Sequence, residues 1–299
     1  MASFFDEIAR NRLKSIILLF LFGLLFMGII YFVVVLLGGG IFAIIVGCAL
    51  VVAYAAISYY SGDKVVLAVS GAKEADPKEY SNLYSIIDGL ASAMQIKMPK
   101  VYIINDQNPN AFATGRRSKP SIAVTSGLLT IMNRREMEGV IAHEISHIAD
   151  NDIQVMTLAI AFAGVIGLIA ALFRNMLFFG FGGGSRRNEG SGILVLVALI
   201  VGLLAPLFAL LIRLAISRDR EYMADANGAR IIRDPAALAS ALNKLLAYST
   251  NPASRPVRRA NDITAPLYFS NPFNGKALLG LFSTHPPLKD RIAKLEHMY

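Results

Sequence analysis

The sequence predicts a mainly α-helical membrane protein of the α+β class, with four hydrophobic helices and a polar domain that contains a small β-sheet. Of the 299 residues, 55% are hydrophobic, and the mean hydropathy of +0.53 is too high for an ordinary soluble domain of this size. The apolar residues are concentrated in four blocks, each with the roughly 20 residues that a helix needs to cross a membrane. The polar stretches between them contain short strand patterns and amphipathic helix patterns.

The four apolar blocks also divide the chain into domains. They are residues 15–37, 41–60, 153–173 and 193–212. The first block is too long for the apolar part of a signal peptide, and the second follows it directly after three glycines, so we expect a retained hairpin. The predicted domains are an N-terminal transmembrane hairpin (1–60), the first part of a polar domain (61–152), a second transmembrane hairpin (153–212) and the second part of the polar domain (213–299).

Charge and cysteine content argue against several classes of protein. The net charge is +8, but the basic residues do not form a stripe with interleaved aromatic residues, so no nucleic acid is expected as a partner. Basic residues that flank membrane helices favour the anionic cytoplasmic leaflet, which makes the lipid bilayer an expected partner. The single cysteine, Cys48, lies inside the second block, so no intramolecular disulfide can form.

The first polar stretch predicts strands and two helices. The strands are expected at 64–70, 100–105, 110–115 and 121–127. The first helix is expected at 77–94, with Asp76 as its N-cap and Pro77 as its first residue. The second helix is expected to begin after Asn133, since Asn133 and Glu136 have the spacing of a capping box, and to end near residue 151.

The second polar stretch predicts three helices and a long loop. The helices are expected at 213–232, from 235 to about 248 after Asp234, and within the terminal residues 285–299. Residues 249–276 are rich in Pro, Asn, Arg and Ser, a composition that is typical of a loop.

The second helix of the first polar stretch carries the sequence HEISH at 143–147. Residues four apart on a helix differ by about 40° in direction, so His143 and His147 can point one ring nitrogen each at a common atom. Glu144 is rotated by about 100° from His143 and lies beside that atom. Two imidazoles and a neighbouring carboxylate are what a catalytic zinc site needs, because zinc activates a water molecule and the carboxylate can take its proton.

A catalytic zinc site normally has a third protein ligand, which the residues just after the motif cannot supply. Asp150 lies about 7.5 Å along the helix axis beyond the midpoint of the two histidines, too far for its short side chain, and Ile153 has no ligating atom. Two membrane crossings return the chain to the side that it left, so the ligand is expected among the first acids after the fourth block: Asp219, Glu221 and Asp225. Glu221 and Asp225 share one helix face, and we take Glu221 as the ligand and Asp225 as the residue that orients a ligating histidine.

Five segments, in this order, resemble the HtpX family of bacterial membrane zinc metalloproteases, which are relatives of the eukaryotic CAAX prenyl proteases. They are the N-terminal apolar hairpin, NAFATG (110–115), HEISH (143–147), EYMAD (221–225) and HPPLKDRI (285–292). The resemblance covers nearly the whole chain. It implies a gluzincin-like domain on the cytoplasmic side of the bacterial inner membrane, in an endopeptidase that cleaves misfolded or damaged membrane proteins in quality control and the stress response.

The resemblance also implies a role for each matching residue. One Zn²⁺ per chain would be held by His143, His147 and Glu221, with Glu144 as the general base and Asp225 behind the ligands. The segment NAFATG would be an edge strand that binds extended substrate main chain at Asn110, Ala111 and Phe112, and an interior hairpin strand is the alternative. His285 would stabilise the oxyanion or would be a structural cap. Arg291 would bind substrate or pair with an acid near the site.

Two other functions are compatible with this motif in a membrane protein. In an intramembrane-cleaving metalloprotease the HEISH helix would itself cross the bilayer, but the segment NRREMEG before it has four charges. A non-enzymatic membrane metal-binding protein needs the ligands but gives Glu144 no role. The basic residues Arg174, Arg186 and Arg187 leave open whether the second hairpin fully crosses the membrane or packs partly within the protein.

Overall fold

The computed structural model describes residues 38–159, 218–251, 268–269 and 286–298, together with scattered residues between 13 and 35. Its helices are α1 (Ile41–Ser70), α2 (Ser81–Ala93), α3 (Ser126–Ile131), α4 (Arg134–Ala149), α5 (Arg218–Ile232), α6 (Pro235–Thr250) and α7 (Leu288–Glu296). Its strands are β1 (Ala72–Glu74), β2 (Lys100–Ile104), β3 (Ala111–Arg116) and β4 (Lys119–Thr125). Residues 152–159 are also helical. The described part of the chain is therefore mainly helical with one small mixed sheet.

Helix α1 contains the second apolar block, and it is the one helix within the described residues that is long and apolar enough to cross a membrane. Its most apolar window of 18 residues has a mean hydropathy of 2.6. Large apolar side chains point away from the protein, and those of Phe42 and Leu50 are 77% and 65% exposed. The other three predicted membrane helices lie wholly or partly outside the described residues, so four membrane helices stay a prediction.

The prediction of a strand at 64–70 is wrong, because these residues form the last turns of α1. A short apolar run such as KVVLAVS is compatible with a buried strand or a buried helix segment, and its periodicity alone does not distinguish them. Val66 and Leu67 are buried against Ile104 and Phe112 of the sheet. This packing stabilises the continued helix, which ends at Gly71 in the left-handed conformation with a φ of 68°.

The sheet has the strand order β1-β2-β4-β3. Strands β2 and β4 are parallel, whereas β1 is antiparallel to β2 and β3 is antiparallel to β4. The strands predicted at 100–105, 110–115 and 121–127 are confirmed, with small differences at their ends. Within the described residues β3 pairs with β4 alone, so it is one of the two edge strands of this sheet, and the resemblance implied an edge strand here.

Three helix starts show how well local sequence signals predict where a helix begins. The helix predicted at 77–94 begins later, at Ser81, because Asp76 caps a turn in which its carboxylate accepts a hydrogen bond from the Lys78 N–H at 2.9 Å. The helices predicted after Asn133 and Asp234 are confirmed, and both of these side chains cap their helices. The loop predicted at 249–276 lies mostly outside the described residues.

Helix α4, which carries the HEISH motif, packs against α2, β3, α5 and α6. Its apolar residues fill the centre of the domain, and Val140, Ile141 and Ile145 have no exposed surface. An α-helix surrounded in this way is rigid, because close packing leaves its side chains no free volume. The motif histidines therefore lie on a fixed support.

The first turn of α4 is fixed to α6 by Glu136. The buried carboxylate of Glu136 accepts hydrogen bonds from the Asn133 N–H at 2.8 Å, from Ser240 at 2.8 Å and from Lys244 at 2.6 Å. Burial alone would raise the pKa of Glu136, but the hydrogen bonds from Lys244, Asn133 and Ser240 lower it on balance. This contact holds the start of the motif helix in register with α6.

Candidate active site and metal centre

Three potential ligands converge between α4 and α5. The Nε2 atoms of His143 and His147 are 3.1 Å apart, and the carboxylate oxygens of Glu221 lie 3.5 Å from His147 Nε2 and 3.8 Å from His143 Nε2. Ligand atoms around a tetrahedral zinc with bonds of about 2.0–2.1 Å are about 3.3 Å apart. The three observed distances therefore fit one shared ion, and two imidazoles with one carboxylate suit zinc. The structure brings together the three residues that the sequence predicted as ligands.

The ring of His143 is oriented by Asp225. Its Nδ1 lies 2.9 Å from Asp225 Oδ1, and both side chains are buried. A carboxylate on Nδ1 places the ring proton there, so the lone pair of Nε2 is directed at the metal position. Burial, the largest effect, lowers the pKa of His143 to about 4, so the ring is neutral and able to ligate at physiological pH. The structure places Asp225 where the sequence predicted it, behind the ligands.

Arg291 supports Asp225 from the other side. Its Nε donates to Asp225 Oδ2 at 2.8 Å and its Nη2 donates to Asp225 Oδ1 at 2.7 Å. Burial alone would raise the pKa of Asp225, but the charge and hydrogen bonds of Arg291 lower it. Arg291 has no exposed surface, so the structure does not place it where substrate can reach it. The pairing with an acid, which the sequence also allowed, is the arrangement observed.

His147 has an equivalent arrangement that the sequence analysis missed. Its Nδ1 lies 3.1 Å from Asp152 Oδ2, and Asp152 lies 3.5 Å from the guanidinium of Arg220. Asp152 returns to the histidine because the chain turns at Asn151, which has a left-handed φ of 63°. Asparagine tolerates that conformation better than most residues. In the sequence, the signal for this contact was the pair Asn151-Asp152 at the end of the predicted helix.

The charged groups around His147 oppose the effect that burial has on its pKa. Burial alone would lower the pKa of His147, but its hydrogen bond to Asp152 and the charges of Glu221, Asp152 and Glu144 raise it to about 9. A metal ion at the site replaces the proton on Nε2, because the ligating imidazole must be neutral there. Glu144 directly follows His143 in α4 and is buried like it, at the position that the sequence analysis assigned to the general base.

We expect Asp152→Ala to weaken metal binding by about 10–100-fold, because removal of the carboxylate leaves the ring of His147 without its orienting partner. Metal affinity is measured by competition with a chelator. Asp150→Ala is the matched control: Asp150 is buried nearby and accepts a hydrogen bond from Asn227 at 3.4 Å, and it lies too far along the helix axis to reach the metal position. Equal metal affinities of the two variants would contradict the role of Asp152.

The close approach of α5 to α4 depends on Gly228. A methyl group at this position would lie 3.0 Å from the backbone nitrogen of His143 and 3.2 Å from the carbonyl carbon of Ala142. Both are backbone atoms of the helix that carries the histidines, so the two helices would have to separate. The absence of a side chain at Gly228 therefore lets α5 bring Glu221 within reach of the histidines.

Gly228→Ala is expected to destabilise the protein by about 1–3 kcal/mol, the usual cost of overpacking, and to weaken metal binding. Gly89→Ala in α2 is its control, because a methyl group there would meet no other atom within 4 Å and alanine favours a helix. Thermal unfolding with and without a chelator measures both effects. A Gly228→Ala variant as stable and as metal-rich as Gly89→Ala would show that the helices can shift without harm.

Of the residues predicted to bind substrate, Ala111 and Phe112 are the first two of β3, and Asn110 directly precedes them. All three residues are buried, main chain included, so the structure does not show them open to a substrate. The carbonyl of Ala111 accepts a hydrogen bond from the Phe269 N–H at 2.8 Å, and main-chain groups alternate along a strand, so Ala113 faces the same edge. His285, the predicted oxyanion stabiliser, lies outside the described residues.

A model of peptidase family M48 matches residues 77–299, which is more than half of the chain. The chain belongs to peptidase family M48. The matched region of this M48 peptidase contains α4, α5 and α7, and with them every described residue of the metal centre. Helix α1 precedes the matched region.

Relatives named Protease HtpX homolog are similar to this M48 peptidase over nearly its whole length, which confirms the resemblance seen in the sequence. The protein from Caldanaerobacter subterraneus subsp. tengcongensis is 44% identical over 294 residues, which cover 97% of this chain and 96% of the relative. The protein from Dictyoglomus thermophilum is 40% identical over 297 residues, which cover 99% and 95%. Among solved structures, Ste24p from S. mikatae is similar with a TM-score of 0.49 and 19% identity, over 96% of this chain and 66% of that chain.

Proposed function

We propose that this M48 peptidase is a zinc-dependent endopeptidase of the bacterial inner membrane that cleaves misfolded or damaged membrane proteins on the cytoplasmic side. The observation that carries the proposal is the buried carboxylate of Glu144 beside the cluster of His143, His147 and Glu221. A site that only stores metal needs the ligands but not an additional base. The arrangement therefore favours hydrolysis over metal storage or transport.

The residues of the site divide the chemistry between them. Zinc, when bound, supplies a polarised water molecule at neutral pH. Asp225 and Asp152 hold the two histidines so that each presents its Nε2 lone pair. Glu144 accepts a proton from the water and donates it to the amine that leaves when the peptide bond breaks. His285 is proposed to stabilise the negative charge on the carbonyl oxygen.

The edge strand β3 is proposed to bind the substrate. An extended peptide adds to a sheet edge through main-chain hydrogen bonds, which recognise backbone rather than sequence. Such recognition suits an enzyme that removes damaged proteins with unrelated sequences. Because Phe269 already donates to the carbonyl of Ala111 and Ala113 is buried, a substrate that pairs with β3 has to displace the groups that cover this edge.

The start of α4 argues against cleavage inside the bilayer. The side chains of Arg134 and Arg135 are 61% and 73% exposed. Charged and exposed residues support a position of this first turn in water, since a charge in the hydrocarbon core costs several kcal/mol. The cytoplasmic location of the site is supported by the basic residues that accompany the apolar blocks.

The test uses the full-length, zinc-loaded protein in proteoliposomes with a membrane protein as substrate, in its native form and after heat damage. The damaged form is expected to be cleaved faster, because its extended segments can pair with β3. Cleavage should stop with a chelator and return with zinc. Equal rates for both forms would contradict the quality-control role, and no cleavage of either form would contradict the peptidase role.

A further inference from the structure

The end of α1 marks where the proposed membrane helix meets water. The first charged residues of the helix are Asp63 and Lys64. Apolar side chains are exposed on both sides of them, at Ile57 (62%) and at Val65 (53%). Tyr59 and Tyr60 lie just before these charges. Tyrosine favours the membrane–water interface because its ring is apolar and its hydroxyl is polar. The surface of the bilayer is therefore expected at the level of the two tyrosines.

A cleft that opens to solvent lies at this level. Its walls are the end of α1, the β3–β4 hairpin and residues 152–159. Helix α1 contributes Asp63, the hairpin contributes Arg116 and Lys119, and the third wall contributes Gln154. The cleft therefore contains two cationic groups and one carboxylate, next to an exposed apolar helix.

Aromatic contacts hold Arg116 in place. Its guanidinium lies 4.9 Å from the ring centroid of Tyr60 and 5.3 Å from that of Tyr59, and the two rings contact each other edge to face. These contacts orient the guanidinium without neutralising its positive charge. Phosphate oxygens are preferred partners of an oriented guanidinium, because its planar N–H groups can bind two of them. Every phospholipid presents such oxygens at a membrane surface.

We propose that this cleft binds the phosphoethanolamine headgroup of a membrane phospholipid. Arg116 and Lys119 bind the phosphate, and Asp63 accepts hydrogen bonds from the ammonium group. A headgroup with only negative charge is repelled by Asp63, whereas a zwitterionic headgroup matches both signs of charge in the cleft. The acyl chains pack along the exposed apolar face of α1. This inference rests on the membrane location of α1 in the proposed function.

The bound headgroup fixes the substrate strand at the membrane surface. Arg116 is the last residue of β3 and Lys119 is the first residue of β4. The same end of β3 is tied to residues 152–159, because the Gly115 N–H donates to Thr157 Oγ1 at 3.0 Å. A lipid at the hairpin therefore positions the edge strand against the bilayer in which a damaged membrane protein lies.

The test measures the phospholipid that the full-length protein retains after detergent exchange, by mass spectrometry. The protein is first equilibrated with equal amounts of phosphatidylethanolamine, phosphatidylglycerol and phosphatidylcholine. The wild type is expected to retain phosphatidylethanolamine preferentially.

Arg116→Gln should retain phosphatidylethanolamine about 10-fold less well than the wild type, since it loses charge-assisted hydrogen bonds. Asp63→Asn should lose the preference over phosphatidylcholine, whose ammonium group has no N–H. Arg117→Gln, in the same hairpin but outside the cleft lining, is the control.

Four outcomes would overturn the inference. The first is equal retention of phosphatidylethanolamine by Arg116→Gln and Arg117→Gln. The second is displacement of the lipid by inorganic phosphate alone, which would indicate a simple anion site. The third is release of the protein from membranes by alkaline extraction, which contradicts the membrane location and the headgroup site together. A chain that stays in the membrane but retains all three lipids equally contradicts the headgroup site alone.

Discussion

Replacing Glu144 with glutamine is expected to lower the rate of peptide cleavage by about 100-fold or more, while the metal content stays that of the wild type. Glutamine has nearly the same shape as glutamate, so the packing of α4 is retained. It cannot accept the proton from water, so the general base is lost, whereas the ligands His143, His147 and Glu221 are unchanged. Elemental mass spectrometry of the purified protein measures the metal, and casein digestion measures cleavage.

Glu138→Gln is the matched control for this variant. Glu138 lies on the same helix, but its side chain is 34% exposed and pairs with Arg134 at 3.0 Å on the protein surface. Such surface pairs contribute little to stability, so this variant should keep both metal and activity. Full cleavage by Glu144→Gln would remove the mechanistic basis of the proposed function. If Glu144→Gln instead lost its metal, the role of Glu144 would be to support the metal ligands.

The motif helix and its two histidines could be predicted because their signals are local. The capping box of Asn133 and Glu136 marks the start of α4, and the spacing of His143 and His147 places them on one face of it. Glu221 needed one further argument, that two membrane crossings return the chain to the same side. The proximity of Glu221 to the histidines agrees with that argument.

The supports of the histidines could be predicted only in part, because they depend on conformation and on long-range packing. The carboxylate of Asp152 reaches His147 through the left-handed turn at Asn151, which no periodic pattern indicates. Arg291 reaches Asp225 from a helix 66 residues further along the chain. The error at 64–70 has the same origin, since contact with the sheet stabilises a helix where the local pattern allowed a strand.

Glu221→Ala is expected to lose most of its metal and therefore its activity. The carboxylate oxygens of Glu221 lie 3.5 and 3.8 Å from the ligating nitrogens of His147 and His143. Without Glu221, two neutral imidazoles remain, and the negative charge that balances a divalent cation is removed. The loss of affinity should exceed the about 10–100-fold typical of a residue that only orients a ligand. Elemental mass spectrometry after dialysis against a chelator measures the metal that remains.

Asp219→Ala controls for the removal of a negative charge from α5, because Asp219 lies two residues earlier on the exposed side of the helix. It should keep its metal. The roles of the two residues would be exchanged if Glu221→Ala kept its metal and Asp225→Ala lost all of it. The geometry opposes that exchange: both oxygens of Asp225 already accept hydrogen bonds from Arg291, at 2.8 and 2.7 Å. A carboxylate held in this way can orient His143, but it has to break its pairing with a buried cation before it can bind a metal.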